Sequence, residues 1–137
     1  MRYYQGVSCS KDGTLSVEFL IVDLGKSLGW RAYILSDIYY QRFSADRSGA
    51  QLDVHKLSED DTYLYSLVIN FMRNNPPMMR YGRRPSSVEY VCWTKSIYDL
   101  NKMKTIASAW VDITAYYIQY GGSFPEIQKK LCKAGVI

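Results

Sequence analysis

Seven apolar side chains, Leu100, Met103, Ile106, Ala107, Trp110, Ile113 and Tyr117, recur at steps of three and four residues. That spacing lines one face of an α-helix and demands an apolar surface to cover it. Asp99 stands where an N-cap is needed, and Gly121-Gly122 supplies the stop. The pattern predicts a helix of about 20 residues. Lys102, Thr105, Ser108 and Asp112 fall away from the stripe and are expected on its wet side. A shorter helix follows, capped by Ser123, with Pro125 in its first turn and Phe124, Ile127 and Leu131 facing inward. Lys129, Lys130 and Lys133 lie toward its negative end, and Gly135 closes it.

The surface for that stripe comes from the first third of the chain. Residues 2–9 alternate, with Tyr3, Gln5, Val7 and Cys9 on one parity. Lys11-Asp12-Gly13 reads as a turn, because Asp-Gly reaches positive φ cheaply. Thr14 to Leu24 is the strongest strand pattern, with Leu15, Val17, Phe19 and Ile21 on one face. Its other face is Ser16, Glu18, Leu20 and Val22, polar at one end and apolar at the other, so the strand passes from exposed to covered. After a turn at Gly25–Gly29, Trp30 to Leu35 sets Trp30, Ala32 and Ile34 against Arg31, Tyr33 and Leu35. These three strands form an antiparallel meander. The fold class is α+β: an antiparallel sheet with one long and one short C-terminal helix packed on one face.

The middle is less determinate. Residues 44–49 are loop-like, and Gln51 to Leu57 fits a short strand. Ser58-Glu-Asp-Asp61 resembles a helix start, and Leu64, Leu67, Val68 and Phe71 continue at helical spacing. Tyr63, Tyr65, Leu67, Ile69 and Phe71 alternate equally well as a strand, so both readings stand. Val88 to Trp93 reads as a further strand.

A chain of 137 residues forms one domain, residues 1–137, large enough for a real core. No apolar run nears the ~20 residues of a membrane span. The first seven residues lack the apolar stretch of a signal peptide, so a cytoplasmic protein is expected. Cys9, Cys92 and Cys132 are odd in number and widely spaced, which suits free, buried thiols better than disulfides or a zinc site. Thirteen tyrosines against four phenylalanines fit sheet packing and fit a binding face as well. Trp110 belongs to the helix stripe and Trp93 ends a strand, so both are expected in the core, whereas Trp30 follows a turn and is expected to be partly exposed.

Few residues suggest catalysis. The single histidine, His55, shares a strand face with Asp53, an arrangement that could orient an imidazole for acid–base work or form a plain polar face. No lysine has an acid two residues before it, the spacing of a restriction-type nuclease core. The element order invites comparison with the ribonuclease H fold, but nothing in the spacing of Glu18, Asp23 and Asp37 singles them out as its carboxylates. Gly25-Lys26-Ser27 ends like a phosphate-binding loop, but Leu20 stands where the earlier glycine is required. No metal site and no cofactor is indicated.

The distinctive segment lies between Asp61 and Glu89. It holds Arg73, Arg80, Arg83 and Arg84 and no acid. The other thirteen basic residues balance the thirteen acids, so this segment carries the whole net charge of +4. Pro76, Pro77 and Pro85 keep it out of helix interiors and central strands. Arginine forks bind phosphate and stack on bases, Tyr81 adds an aromatic ring, and Met78-Met79 add adaptable apolar surface. The same residue types favour protein interfaces. Arg73, Arg80, Tyr81, Arg83 and Arg84 are therefore the expected contact residues, with nucleic acid, protein or solvent alone as the open alternatives.

Three stretches, Gly29-Trp-Arg-Ala-Tyr-Ile-Leu-Ser-Asp-Ile38, Tyr90-Val-Cys-Trp-Thr-Lys-Ser-Ile97 and residues 106–124, resemble small uncharacterised proteins of bacterial phages and integrative elements. That class includes inhibitors of host defence, among them anti-CRISPR proteins. The resemblance covers about half the chain and implies a non-catalytic inhibitor that binds a protein–nucleic acid assembly, for example a CRISPR effector. It assigns no functional residue. The alternatives are a small enzyme acting on nucleic acid or a nucleotide through Asp53 and His55, and a direct nucleic-acid-binding module.

Overall fold

Antiparallel pairing builds the whole sheet of the computed structural model, which is described for residues 2–36, 38, 54–56, 62–74, 88–91 and 95–137. The strands are β1 (Tyr3–Cys9), β2 (Ser16–Asp23), β3 (Trp30–Ile34), β4 (Val54–Lys56) and β5 (Glu89–Val91). The helices are α1 (Thr62–Asn74), α2 (Leu100–Tyr120) and α3 (Phe124–Lys133). Spatial order is β1-β2-β3-β5-β4. The first three strands are the meander expected from alternation. The chain then runs to the far edge as β4, crosses through α1, and inserts β5 between β3 and β4.

Strand parity sorts the core into two layers. Val17, Phe19, Ile21, Ala32, Ile34, Val54 and Val91 face α2 and α3, where they meet Met103, Trp110, Ile113, Tyr117, Ile127 and Leu131. Leu20, Val22 and Tyr33 point the other way, onto Val68, Ile69 and Met72 of α1. The C-terminal helices do share one face, as expected, and α1 covers the opposite one. This resolves the ambiguity at 62–73 in favour of helix. It also explains why the second face of β2 turns apolar from Leu20 onward: α1 lies over it.

The capping residues act as expected. Asp99 accepts a hydrogen bond from the Asn101 N–H at 2.9 Å, and the Gly121 N–H closes α2 onto the Tyr117 carbonyl at 2.8 Å. The Ser123 hydroxyl accepts from the Glu126 N–H at the start of α3.

Two sequence expectations are corrected. Asp112 is buried, not on the wet side of α2, because its carboxylate accepts the Lys11 N–H at 2.8 Å. A buried carboxylate is tolerable when such a bond repays part of its lost hydration. Cys9 and Cys132 are free but exposed, one at the end of the edge strand β1 and the other near the end of α3, so they are not core thiols. Cys92 and Trp93 lie outside the described residues. Trp110 is buried and Trp30 is half-buried, as the sequence suggested.

The Asp112 bond is half of a clamp on the β1–β2 hairpin. At its tip, Asp12 accepts from the Ser10 hydroxyl at 2.6 Å, from the Thr14 N–H and hydroxyl at 3.0 and 2.7 Å, and from Gln119 of α2 at 2.7 Å. The Ser10 bond is the largest influence holding the Asp12 carboxyl well below its ordinary value; burial opposes it, and the Thr14 and Gln119 bonds add to the lowering. A carboxyl depressed on folding stabilises above its unfolded pKa of 3.8 and loses that contribution as pH falls through the folded value. Asp12→Asn is therefore expected to be less stable than the parent at pH 7, with the gap closing as acid is added below about pH 4. Paired urea titrations at pH 7 and pH 3 measure it. A gap that widens in acid would contradict the assignment.

Candidate functional site

The predicted contact segment begins on a fixed support. Arg73 sits exposed in the last turn of α1, where a cation meets the negative end of the helix dipole. One turn of that helix face holds Val68, Ile69 and Met72 in the core, and Phe71 packs edge-on against Tyr3 of β1 at 5.0 Å between ring centres. Past the segment, Val88 is again buried against the same layer. Both ends of the segment are thus anchored to the α1 side of the sheet. Arg80, Tyr81, Arg83 and Arg84 lie outside the described residues.

His55 lies on β4, opposite Tyr90 of β5, and its ring centre is 5.6 Å from that of Tyr90. Asp53 and Asp37 lie outside the described residues. The other two carboxylates considered do not converge. Glu18 and Asp23 have opposite parity on β2 and so face opposite sides of the sheet. Glu18 accepts from Gln5, and Asp23 pairs with Arg2. The Gly25 N–H, followed by Arg2, holds the Asp23 carboxyl below its ordinary range. Among the described residues no group of three or more His, Cys, Asp or Glu side chains could hold a metal ion.

Sequence reasoning missed a basic, aromatic cleft at one end of the sheet. Its volume is about 260 Å³, and Trp30, Arg31, His55, Tyr90, Lys95 and Ser96 line it. The start of β3, residues Tyr90 and Val91 of β5, His55 of β4 and residues 95–97 build it. The Arg31 guanidinium stacks over the Tyr90 ring at 4.1 Å, and Tyr33 meets Tyr90 edge-on at 5.6 Å. Tyr90 thus carries an arginine and two further rings about it. A cation over a tyrosine face is held by the ring quadrupole as well as by contact.

The floor of the cleft is tied down from the other side. The Trp30 N–H donates to the Ile97 carbonyl at 2.7 Å. The Tyr98 hydroxyl donates to the Lys26 carbonyl at 2.7 Å, and the Ser96 hydroxyl to the Ser27 carbonyl at 3.2 Å. Residues 95–98 are therefore stitched to the β2–β3 turn. Trp30 also lines a neighbouring shallow groove with Arg2, Tyr3, Tyr98, Asp99 and Leu100, in which the Arg2 guanidinium lies 5.3 Å from the indole centre. The signal for this site was present locally, since alternation placed Arg31 and Tyr33 on one face of β3. What sequence could not show is that β5 and β4 bring Tyr90 and His55 beside them.

No family model matches the chain, and no curated protein or solved structure is significantly similar to it. Among the described residues no helix is long and apolar enough to cross a membrane.

Proposed function

We propose that this chain is a non-enzymatic binding protein of phage or mobile-element type. It engages a bacterial protein–nucleic acid assembly, such as a CRISPR effector, through Arg73, Arg80, Tyr81, Arg83 and Arg84, and inhibits it. One observation carries this reading. The segment that holds the entire net charge starts at an exposed Arg73 on a helix whose opposite face is locked in the core. A rigid support lowers the ordering cost of a contact loop, which favours recognition. Arginine and tyrosine are also the side chains most enriched at energetic centres of interfaces.

The test is a complex that co-elutes with the effector and survives nuclease treatment. Arg80→Ala, Arg83→Ala and Arg84→Ala together are expected to weaken that complex about 100-fold or more, since buried interfacial charges commonly cost ~2 kcal/mol or more each when truncated. Binding unchanged in the triple variant would remove the loop from the interface. A complex that nuclease dissolves would favour the direct nucleic-acid-binding module instead. The enzymatic alternative draws on His55, which lines the cleft.

A further inference from the structure

We propose that β1 is a dimerisation edge, and that its occupant is β1 of a second copy of this chain, paired antiparallel about Gly6 into one continuous sheet. This surface uses no residue of the arginine segment and stands or falls independently of it.

The backbone supplies the first argument. β1 closes one end of the strand order, and among the described residues no strand lies beyond it. Its ladder with β2 fixes which of its groups are used. The Asp23 N–H donates to the Arg2 carbonyl at 3.0 Å, and the Ser10 N–H to the Leu15 carbonyl at 2.8 Å. In the register between those two bonds, the even residues of β1 are the ones that bond to β2. The N–H and C=O groups of Tyr3, Gln5, Val7 and Cys9 therefore point away from the sheet. Val7 is 63% exposed and Tyr3 48%, so this flank is open.

The edge also lacks the usual guards. Edge strands are blunted by charge, proline or a bulge. Tyr3–Cys9 contains no charged residue and no proline, and it pairs with β2 without a break. The cations at its two ends are engaged, Arg2 with Asp23 and the Lys11 ammonium with the Val136 carbonyl. A charged segment laid here would lose hydration with no opposite charge on β1 to meet it. An uncharged strand fits, and β1 itself is one.

Parity then sets the register. Gly6 opposite the partner's Gly6 places Tyr3 opposite the partner's Cys9 and Gln5 opposite the partner's Val7. Every outward donor then meets an outward acceptor, and the two-fold closes the assembly at two chains. Gly6 suits the axis for a further reason. The Tyr4 ring occupies the place a side chain there would take, since a Cβ on Gly6 would lie 2.7 Å from Tyr4 Cζ. The Lys104 ammonium holds that ring from the α2 side, 3.7 Å from its centre. Symmetry sets two such rings side by side across the axis, a contact that only a second copy supplies. Seven residues a side is far fewer than the ~20–30 of a standard interface, so the association is expected to be weak, on the order of tens of micromolar.

Sedimentation velocity across about 5–500 μM brackets that affinity and should show monomer giving way to dimer. Val7→Pro removes an outward N–H that β2 does not use, so its circular dichroism spectrum should match the parent while the dimer is lost. Val7→Lys leaves the backbone intact and should weaken the dimer at least about tenfold. Tyr3→Cys should cross-link to the partner's Cys9 on oxidation, because paired strands hold such Cα atoms about 5.5 Å apart, within disulfide reach. Within one chain the two positions lie about 20 Å apart along the strand and cannot link. Adding Cys9→Ser should abolish the link. A chain still monomeric at the highest concentration, a dimer undiminished in Val7→Lys, or a dimer that gives no cross-link in Tyr3→Cys would overturn the proposal.

Discussion

Trp110→Ala is expected to lower the stability of this protein by about 3–5 kcal/mol. The indole is 1% exposed and meets Phe19 of β2 edge-on at 6.2 Å between ring centres. It lies midway along α2, in the same buried layer as Val17, Ile34 and Ile113. Truncation removes the largest apolar surface in that layer and leaves a cavity that strands paired on both sides cannot collapse to fill. A single domain has only ~5–15 kcal/mol in total, so the change consumes much of it. For a chain of this length the midpoint of thermal unfolding should fall by roughly 10–20 °C. Trp110→Phe keeps most of the volume and should cost less than half as much. Circular dichroism melts of the two variants decide the matter. A shift of only a few degrees in Trp110→Ala would mean that α2 is not seated on β2 as described.

Trp110 was also among the most legible residues. Its place follows from helical period alone, because α2 is long, amphipathic and capped at both ends by residues that act locally. The meander was legible for the same reason: alternation within β2 and β3 states which side chains share a face. Legibility failed where the deciding contact was remote. Residues 62–73 satisfied both periods, and helix won because Val68, Ile69 and Met72 could bury together against Leu20 and Val22. Asp112 looked like a wet-side residue until the hairpin tip, 101 positions earlier, proved to be its partner. The exposed thiols show that a residue type's average preference does not fix a single position.

The two surfaces follow the same division. The arginine segment is visible in sequence because charge and proline are local properties, and Arg73 alone of its members falls within the described residues. The cleft is invisible in sequence because Arg31, His55 and the Tyr90–Lys95 stretch are far apart in the chain and meet only through the order in which the strands pair. Each surface is basic and aromatic.

Gly29→Ala is expected to be nearly as disruptive as loss of the core tryptophan, at about 3 kcal/mol, although it adds only one methyl. Gly29 is buried at the start of β3 with φ of 72°, a region that costs a residue with a Cβ ~1–2 kcal/mol. The added Cβ would also press on the backbone of Ile97, only 2.9 Å from its carbonyl carbon and 3.1 Å from its nitrogen. Neither side can move cheaply. The Gly29 N–H is bonded to the Gly25 carbonyl at 2.7 Å, and the Ile97 carbonyl receives the Trp30 N–H. Relief must push residues 95–98 off the β2–β3 turn, which would also widen the cleft that Trp30 and Ile97 line. Gly13→Ala is the matched control. Gly13 has nearly the same φ, 77°, but open space where its Cβ would lie. It should lose only the conformational part, about 1 kcal/mol. The difference between the two variants in urea titrations isolates the close approach of Ile97. Equal losses would show that this approach does not exist, and with it would go the rigid wall on which the cleft depends.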